Sequence, residues 1–318
     1  MNKNSLLQLG VSVADDRAAS SPEQKTSNEH RSLRVFKANR SLTSILKMLN
    51  ILCSISPTLA VRFSTFLFLR PRRKPLNYLD KLPAKGQRIT IYHNLRKLVG
   101  YQWGAGPRTI LLVHGWESHL GYMLPMVQPL VDAGFKVITF DAPGHGQSPQ
   151  LLTNIIDFGD AVKATIEQHG PVYAVVAHSF GASATSLMLS RERGIKINRF
   201  IMLSPMNHVQ RQIEIFEKIL NYPDFMHERV VNHIYNHLPV PIEQCDVTQA
   251  VKRIAAPGLI VHDRGDKVIS VDNSYDIAAS YVGAVLRDTH GLGHRGIMRS
   301  PKVHQWVVDF LNTNPQNN

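Results

Sequence analysis

From Arg88 onward the chain alternates short apolar runs with longer stretches in which apolar residues recur every three or four positions. Short runs that are apolar on both faces suit buried strands of a parallel sheet, and the longer periodicity suits helices. Ile89–Tyr92 and Lys97–Trp103 are predicted as an opening antiparallel pair. Ile110–His114, Val137–Asp141, Val172–His178, Phe200–Ser204, Leu259–His262 and Ala284–Arg287 are predicted as parallel strands. Helices are predicted at Met123–Asp132, Ile155–His169, Ser179–Arg191, Asn273–Val282 and Lys302–Leu311. This rhythm specifies an α/β fold: a mostly parallel sheet with helices on both faces and its loops gathered at the carboxyl edge of the strands. The rhythm lapses between Leu203 and Leu259. Two helix-like runs, Val209–Leu220 and Met226–His237, stand there with Tyr222-Pro223 between them, where a single crossover helix would suffice. Residues 206–254 are therefore read as an insertion.

The N-terminal third has a different character. Residues 1–30 are polar, and the apolar stretch Leu6–Val13 is short and broken by Gln8 and Ser12, a poor signal peptide; the expectation is a disordered tail. Residues 31–87 read as a helical extension ahead of the alternating α/β region spanning 88–314. Within the extension Ile45, Leu46, Leu49, Leu52 and Cys53 recur at helical spacing, Pro57 interrupts, and Thr58–Leu69 resumes. Neither half is long or apolar enough to span a membrane, since Lys47, Asn50 and Arg62 lie inside the stretch. The preferred reading is two amphipathic helices packed on the α/β domain. The alternative is an interfacial membrane contact, because Arg70, Arg72, Arg73 and Lys74 flank the apolar run.

Charge sharpens this division. The chain carries +12, and residues 1–100 alone hold 18 Lys+Arg against 5 Asp+Glu, so the rest of the chain is close to neutral. No nucleic-acid-binding module accompanies the basic residues, and no nucleic-acid partner is expected. The two cysteines, Cys53 and Cys245, form no disulfide framework or metal motif and fit a reducing, cytoplasmic location.

The candidate chemistry centres on Ala177-His178-Ser179-Phe180-Gly181, which follows the apolar run Val172–Val176 and precedes a helical run. Strand, sharp turn with Ser, then helix is the context of a nucleophile elbow, and small residues are needed two positions before and after the Ser because strand and helix pass closely there. A Ser nucleophile needs a base, and the base needs an orienting carboxylate. Downstream, Leu259–Ile269 reads as a strand running into an acidic loop that offers Asp266, with Asp263 as the alternative. The Gly-rich loop His290–Arg295 offers His294, with His290 as the alternative. The order Ser, acid, His, together with His114-Gly115-Trp116 after one strand and Asp141-Ala142-Pro143-Gly144-His145-Gly146-Gln147-Ser148 after the next, resembles α/β-hydrolase-fold serine hydrolases of the bacterial esterase and lysophospholipase kind. The resemblance covers Arg88 to Leu311. Two positions depart from the usual pattern: Ala177 and Asp263 stand where such enzymes have Gly.

The resemblance implies a Ser179–His294–Asp266 triad and an oxyanion hole formed by the backbone N–H groups of Trp116 and Phe180. It also implies Trp116 lining the substrate pocket and a cap formed by the 206–254 insertion. His114 is expected to make structural hydrogen bonds, and Asp141 and His145 to brace neighbouring loops. An acyl ester is the leading small-molecule substrate, with thioester, amide or carbon–carbon bond cleavage as alternatives on the same triad, and a non-catalytic binding protein as the contrasting class. No cofactor and no metal are expected: Gly144-His145-Gly146 lacks the third Gly of a dinucleotide loop, and His233 and His237, although i, i+4, have no Glu beside His233.

Overall fold

The computed structural model describes residues 40–83 and 86–313; the polar tail anticipated at 1–30 lies outside them. The strands are β1 (Gln87–His93), β2 (Arg96–Trp103), β3 (Thr109–Val113), β4 (Lys136–Phe140), β5 (Ala174–His178), β6 (Arg199–Leu203), β7 (Gly258–Asp263) and β8 (Val285–Thr289). The helices are α1 (Arg40–Ile55), α2 (Pro57–Leu69), α3 (Val127–Asp132), α4 (Ile155–His169), α5 (Phe180–Arg191), α6 (Val209–Leu220), α7 (Asp224–Tyr235), α8 (Val247–Val251), α9 (Asp272–Ser280), α10 (Gly293–Gly296) and α11 (Pro301–Asn312). The described residues fall into two compact units. One comprises 71–207 with 247–313, the other 40–70 with His208–Asp246.

The first unit is one eight-stranded sheet in the order β1-β2-β4-β3-β5-β6-β7-β8. β1, β2 and β4 pair antiparallel, and every pairing from β4 through β3 to β8 is parallel. The central strands are buried on both faces, which explains why they read as unbroken apolar runs. Ile110, Leu112, Val137, Val176, Ile201 and Val261 share one core with Met126, Leu130, Val303 and Val307 from α3, α11 and the approach to α3. Most boundaries shift by one or two residues, and two of the shifts have a local cause. The helix predicted from Met123 starts as two 3-10 turns, Leu120–Tyr122 and Leu124–Met126, and becomes α-helical only at Val127; Pro125 has no N–H to offer a continuous ladder. The helix predicted from Ser179 begins at Phe180, because Ser179 has a positive φ of 53°.

The second unit is helical. Leu49 and Cys53 of α1 and Ala60 and Val61 of α2 are buried in one cluster with Ile213 and Leu220 of α6, Tyr222, and Met226, Val230 and Ile234 of α7. Ser56 caps α2 by accepting from Leu59 N–H, and Pro57 occupies the first helical position, so the interruption at Pro57 is a helix start. Thr65 of α2 hydrogen-bonds His233 Nδ1 of α7 at 2.8 Å. The packing partner of the N-terminal helices within this unit is thus the insertion, whose ends meet at the bridge His208–Asp246. Among the described residues no helix is long and apolar enough to cross a membrane.

Candidate active site

β5 ends at His178 and α5 begins at Phe180, leaving Ser179 as the single residue of the turn, at φ 53°, ψ −128°. A non-glycine residue there stores backbone strain, and the surroundings hold it in place. Ser179 N–H donates to Leu203 O at 2.8 Å, while Ala182 N–H returns to Ser179 O at 2.9 Å. Gly181 is required sterically: a Cβ there would stand 2.1 Å from the His114 carbonyl oxygen. A Cβ on Gly115 would stand 3.0 Å from Ser179 Cβ, so the loop carrying Trp116 lies directly against the elbow. Phe180 N–H is the first of a helix and has no intrahelical acceptor, and the Trp116 and Phe180 rings pack at 5.0 Å between centroids.

β7 and β8 bring the other groups to the same edge of the sheet. Ser179 Oγ lies 3.1 Å from His294 Nε2, and His294 Nδ1 lies 2.7 Å from Asp266 Oδ2. The Asp266 side chain is fully buried and that of His294 is 10% exposed. Val268 and Ile269 N–H donate to Asp266 Oδ1 at 2.8 and 3.0 Å. Burial alone would raise the Asp266 carboxyl, but hydrogen bonds from His262, His294 and Ile269 N–H hold it well below the usual carboxylate range.

The alternatives fall elsewhere. Asp263 Oδ1 accepts from Gly265 N–H at 2.9 Å, and its Oδ2 accepts from Thr289 Oγ1 at 2.8 Å and Leu292 N–H at 2.9 Å, so it ties the acid loop to the loop that carries His294. Its carboxylate takes up the place of the expected Gly as a loop brace. His290 is exposed.

Two histidines not singled out in the sequence belong to this constellation. His262, fully buried, directs Nε2–H at Ile269 O (3.0 Å) and lies 3.3 Å from Asp266 Oδ2, while Ser274 Oγ donates to its Nδ1 at 2.7 Å. His178 donates from Nε2 to the backbone carbonyl of His294 at 2.9 Å, and their rings lie 4.7 Å apart. Burial, with the adjacent His294, pushes His178 down to about 3, so it is neutral at pH 7. Their only sequence signal was a His at the carboxyl end of each of two strands that lead into motif loops; among 15 His it was too weak to separate.

The loop after β4 is a scaffold. Asp141 Oδ1 accepts from Leu120 N–H at 2.7 Å, and its Oδ2 accepts from Tyr78 Oη and Gln147 N–H, each at 2.8 Å. His114 donates from Nδ1 to Gly115 O (2.7 Å) and accepts at Nε2 from Ala142 N–H (3.0 Å). His145 donates to Pro143 O and accepts from Glu117 N–H. Arg72 forks onto Glu117 with both contacts at 2.8 Å, and Arg73 donates to the carbonyls of Gly146, Ser148 and Gln150. These two members of the basic cluster at 70–74 are therefore structural ties.

The chain is similar to several known proteins. Residues 107–245 match the family described as serine aminopeptidase S33. The chain is 26% identical to the lysophosphatidylserine lipase ABHD12 of Xenopus tropicalis over 306 residues, covering 80% of this chain and 75% of that one. It is 36% identical over 86 residues to a dihydrolipoyllysine-residue acetyltransferase component of the acetoin cleaving system of Cupriavidus necator, a match spanning 26% of this chain and only 23% of the relative. Among solved structures, an esterase of Pyrococcus furiosus superposes with a TM-score of 0.59 at 19% identity, covering 76% of this chain and 96% of that one. With its eight-stranded sheet, elbow and ordered motif loops, the chain has the α/β-hydrolase fold, and residues 107–245 resemble the serine aminopeptidase S33 family.

Proposed function

We propose that the protein is a serine esterase working through Ser179, His294 and Asp266. The observation that carries this is the continuous hydrogen-bonded line from Ser179 Oγ through His294 to Asp266, at 3.1 and 2.7 Å. Ser179 Oγ attacks the acyl carbonyl carbon as His294 Nε2 takes the hydroxyl proton. The tetrahedral oxyanion rests on the Phe180 and Trp116 N–H groups, one at a helix N-terminus and one on the loop pressed against the elbow. Collapse expels the alcohol, which takes the proton back from His294, and leaves an acyl group on Ser179. Water, deprotonated by His294, then attacks the acyl-enzyme; the carboxylic acid leaves and Ser179 regains its proton. Asp266 holds the His294 tautomer and offsets the imidazolium charge. Every step uses side chains, backbone donors and water.

An ester of a long-chain acid is the class to test first, since Trp116 and Phe180 give the reaction centre aromatic walls and a relative 26% identical to this chain is a lysophosphatidylserine lipase by name. The insertion anticipated at 206–254 is the cap in this reading, and the location is cytoplasmic. A fluorophosphonate probe should label the native chain and not Ser179→Ala, and a panel of acyl esters of graded chain length should give saturable hydrolysis. Absence of labelling with the fold intact would overturn the reading in favour of a binding protein.

A further inference from the structure

Helices α1 and α2 have two apolar faces, and only one of them is used by the core of their unit. The inward face is spent on Leu49, Cys53, Ala60 and Val61. On the outward face of α1, Met48, Ile51 and Ile55 stand at i, i+3 and i+7, with 43%, 59% and 76% of their surface exposed, and Leu59 at the start of α2 is 52% exposed. Spacing of three and four places the three α1 side chains in one stripe, and Leu59 opens α2 just past the break at Ser56. α2 continues the outward face with Leu59, Arg62 and Phe66, and Phe66 stacks with Phe63 and lies under the Arg70 guanidinium at 5.3 Å. An apolar stripe of this extent is uncommon on a soluble monomer without a partner.

The charges around it select the partner. Residues 40–70 contain Arg40, Lys47, Arg62 and Arg70 and no Asp or Glu. Lys47, Arg62 and Arg70 are exposed beside the stripe. An outer face that is apolar along its centre, cationic at its margins and free of acidic residues complements an anionic lipid surface: the aliphatic side chains enter the acyl boundary and the basic groups stay at headgroup level. A second copy of the chain would bring the same cations face to face, which disfavours a two-fold contact through this stripe. We infer that the outward face of α1 and α2, centred on Met48, Ile51, Ile55 and Leu59 and bordered by Lys47, Arg62 and Arg70, docks the protein peripherally on anionic membranes. The basic cluster at 70–74 contributes less than its sequence suggests, because Arg72 and Arg73 are already engaged. This inference stands apart from the esterase reading, since it rests on no catalytic residue.

The test is flotation of the full-length chain with phosphatidylcholine vesicles and with vesicles that also contain phosphatidylglycerol, at low and high salt. Binding to the anionic vesicles should exceed binding to the neutral ones by about tenfold or more at low salt and fall steeply at high salt. The double variant Ile51→Asn/Ile55→Asn should lose binding by about tenfold or more, and Lys47→Glu/Arg62→Glu should lose the preference for anionic lipid. All four positions are exposed, so thermal melting should match the native chain and serves as the fold control. Absence of flotation, or flotation unchanged in both double variants, would overturn the inference. So would light scattering that shows a dimer split by Ile51→Asn/Ile55→Asn, because the stripe would then be covered by a second copy.

Discussion

Asp266 is the residue on which the triad's behaviour turns. Its carboxylate has a donor on every side: Val268 and Ile269 N–H on Oδ1, His294 and His262 on Oδ2. Its folded pKa lies below the unfolded carboxylate value, so the stability it contributes is present above about pH 4 and lost as pH falls below that. At neutral pH it is therefore always available to His294. Ser179→Ala and His294→Ala should each reduce kcat by about 10³–10⁶ and to similar extents, since the two act as a unit, with Asp266→Asn costing somewhat less. Steady-state kinetics on one acyl ester checks all three; most of the activity surviving in Ser179→Ala would refute the mechanism. His262 offers a subtler test. His262→Phe removes a donor from Oδ2 and leaves Ser274 and Ile269 O without their partner. A loss of about 10–100-fold in kcat with KM little changed is expected, through misplacement of Asp266. His262→Gln, which retains a side-chain donor, should recover part of that loss; equal damage from both would reduce His262 to a packing residue.

At the scale of elements, the loops are held by acceptors whose value lies in what they join. Asp263 links the turn after β7 to β8 and to the start of the His294 loop through Gly265, Thr289 and Leu292. Asp263→Ala should destabilise by about 1–3 kcal/mol, the range for stranding buried donors, while lowering kcat less than Asp266→Asn. Paired melting and kinetic measurements separate the two acids; the reverse ranking in kcat would reassign the triad carboxylate. The helical unit has its own keystone in Leu49, 1% exposed among residues of α2, α6 and α7. Leu49→Ala should cost about 2–5 kcal/mol of that unit's stability, visible as local loss of hydrogen-exchange protection in α1, α2, α6 and α7. Unchanged protection there would mean the N-terminal helices are dispensable for the insertion.

The molecule as a whole should be sensitive to mild acid. His114, His119, His145 and His178 are all held below the ordinary imidazole value, chiefly by burial: His119 and His145 to about 4, His178 to about 3, and His114 well below its usual range. Below about pH 6.5 the unfolded chain takes up protons at these positions that the folded chain refuses, so stability falls as pH decreases. Asp141 acts in the opposite direction: burial raises it to about 6, so its ionisation lowers stability as pH rises from about 4 to about 6. One buried carboxyl does not offset several histidines. The urea midpoint should drop between pH 7.5 and pH 5, as the unfolding free energy falls by about 1.4 kcal/mol per pH unit for each net proton. A flat midpoint across that interval would show that these histidines titrate normally.

Much of this was legible without coordinates. Strand runs buried on both faces announce themselves, because each residue must be apolar whichever side it points to; this is why β3 to β7 and the elbow at Ser179 could be placed within a few residues. Gly181 was readable because a helix crossing a strand that closely tolerates no Cβ, a local requirement. The choice between Asp266 and Asp263, and between His294 and His290, was not local. The two acids stand close together, one ending β7 and one in the loop after it, and which carboxylate faces the imidazole depends on the register of β7 against β8 and on Thr289 of β8 and Leu292 beyond it claiming Asp263. The partner of α1 and α2 was hidden for the same reason. Their amphipathic pattern states that a face must be covered, while the helices that cover it, α6 and α7, stand more than a hundred residues away and meet them only in three dimensions. Sequence periodicity records the burial each segment needs; only the folded chain decides what supplies it.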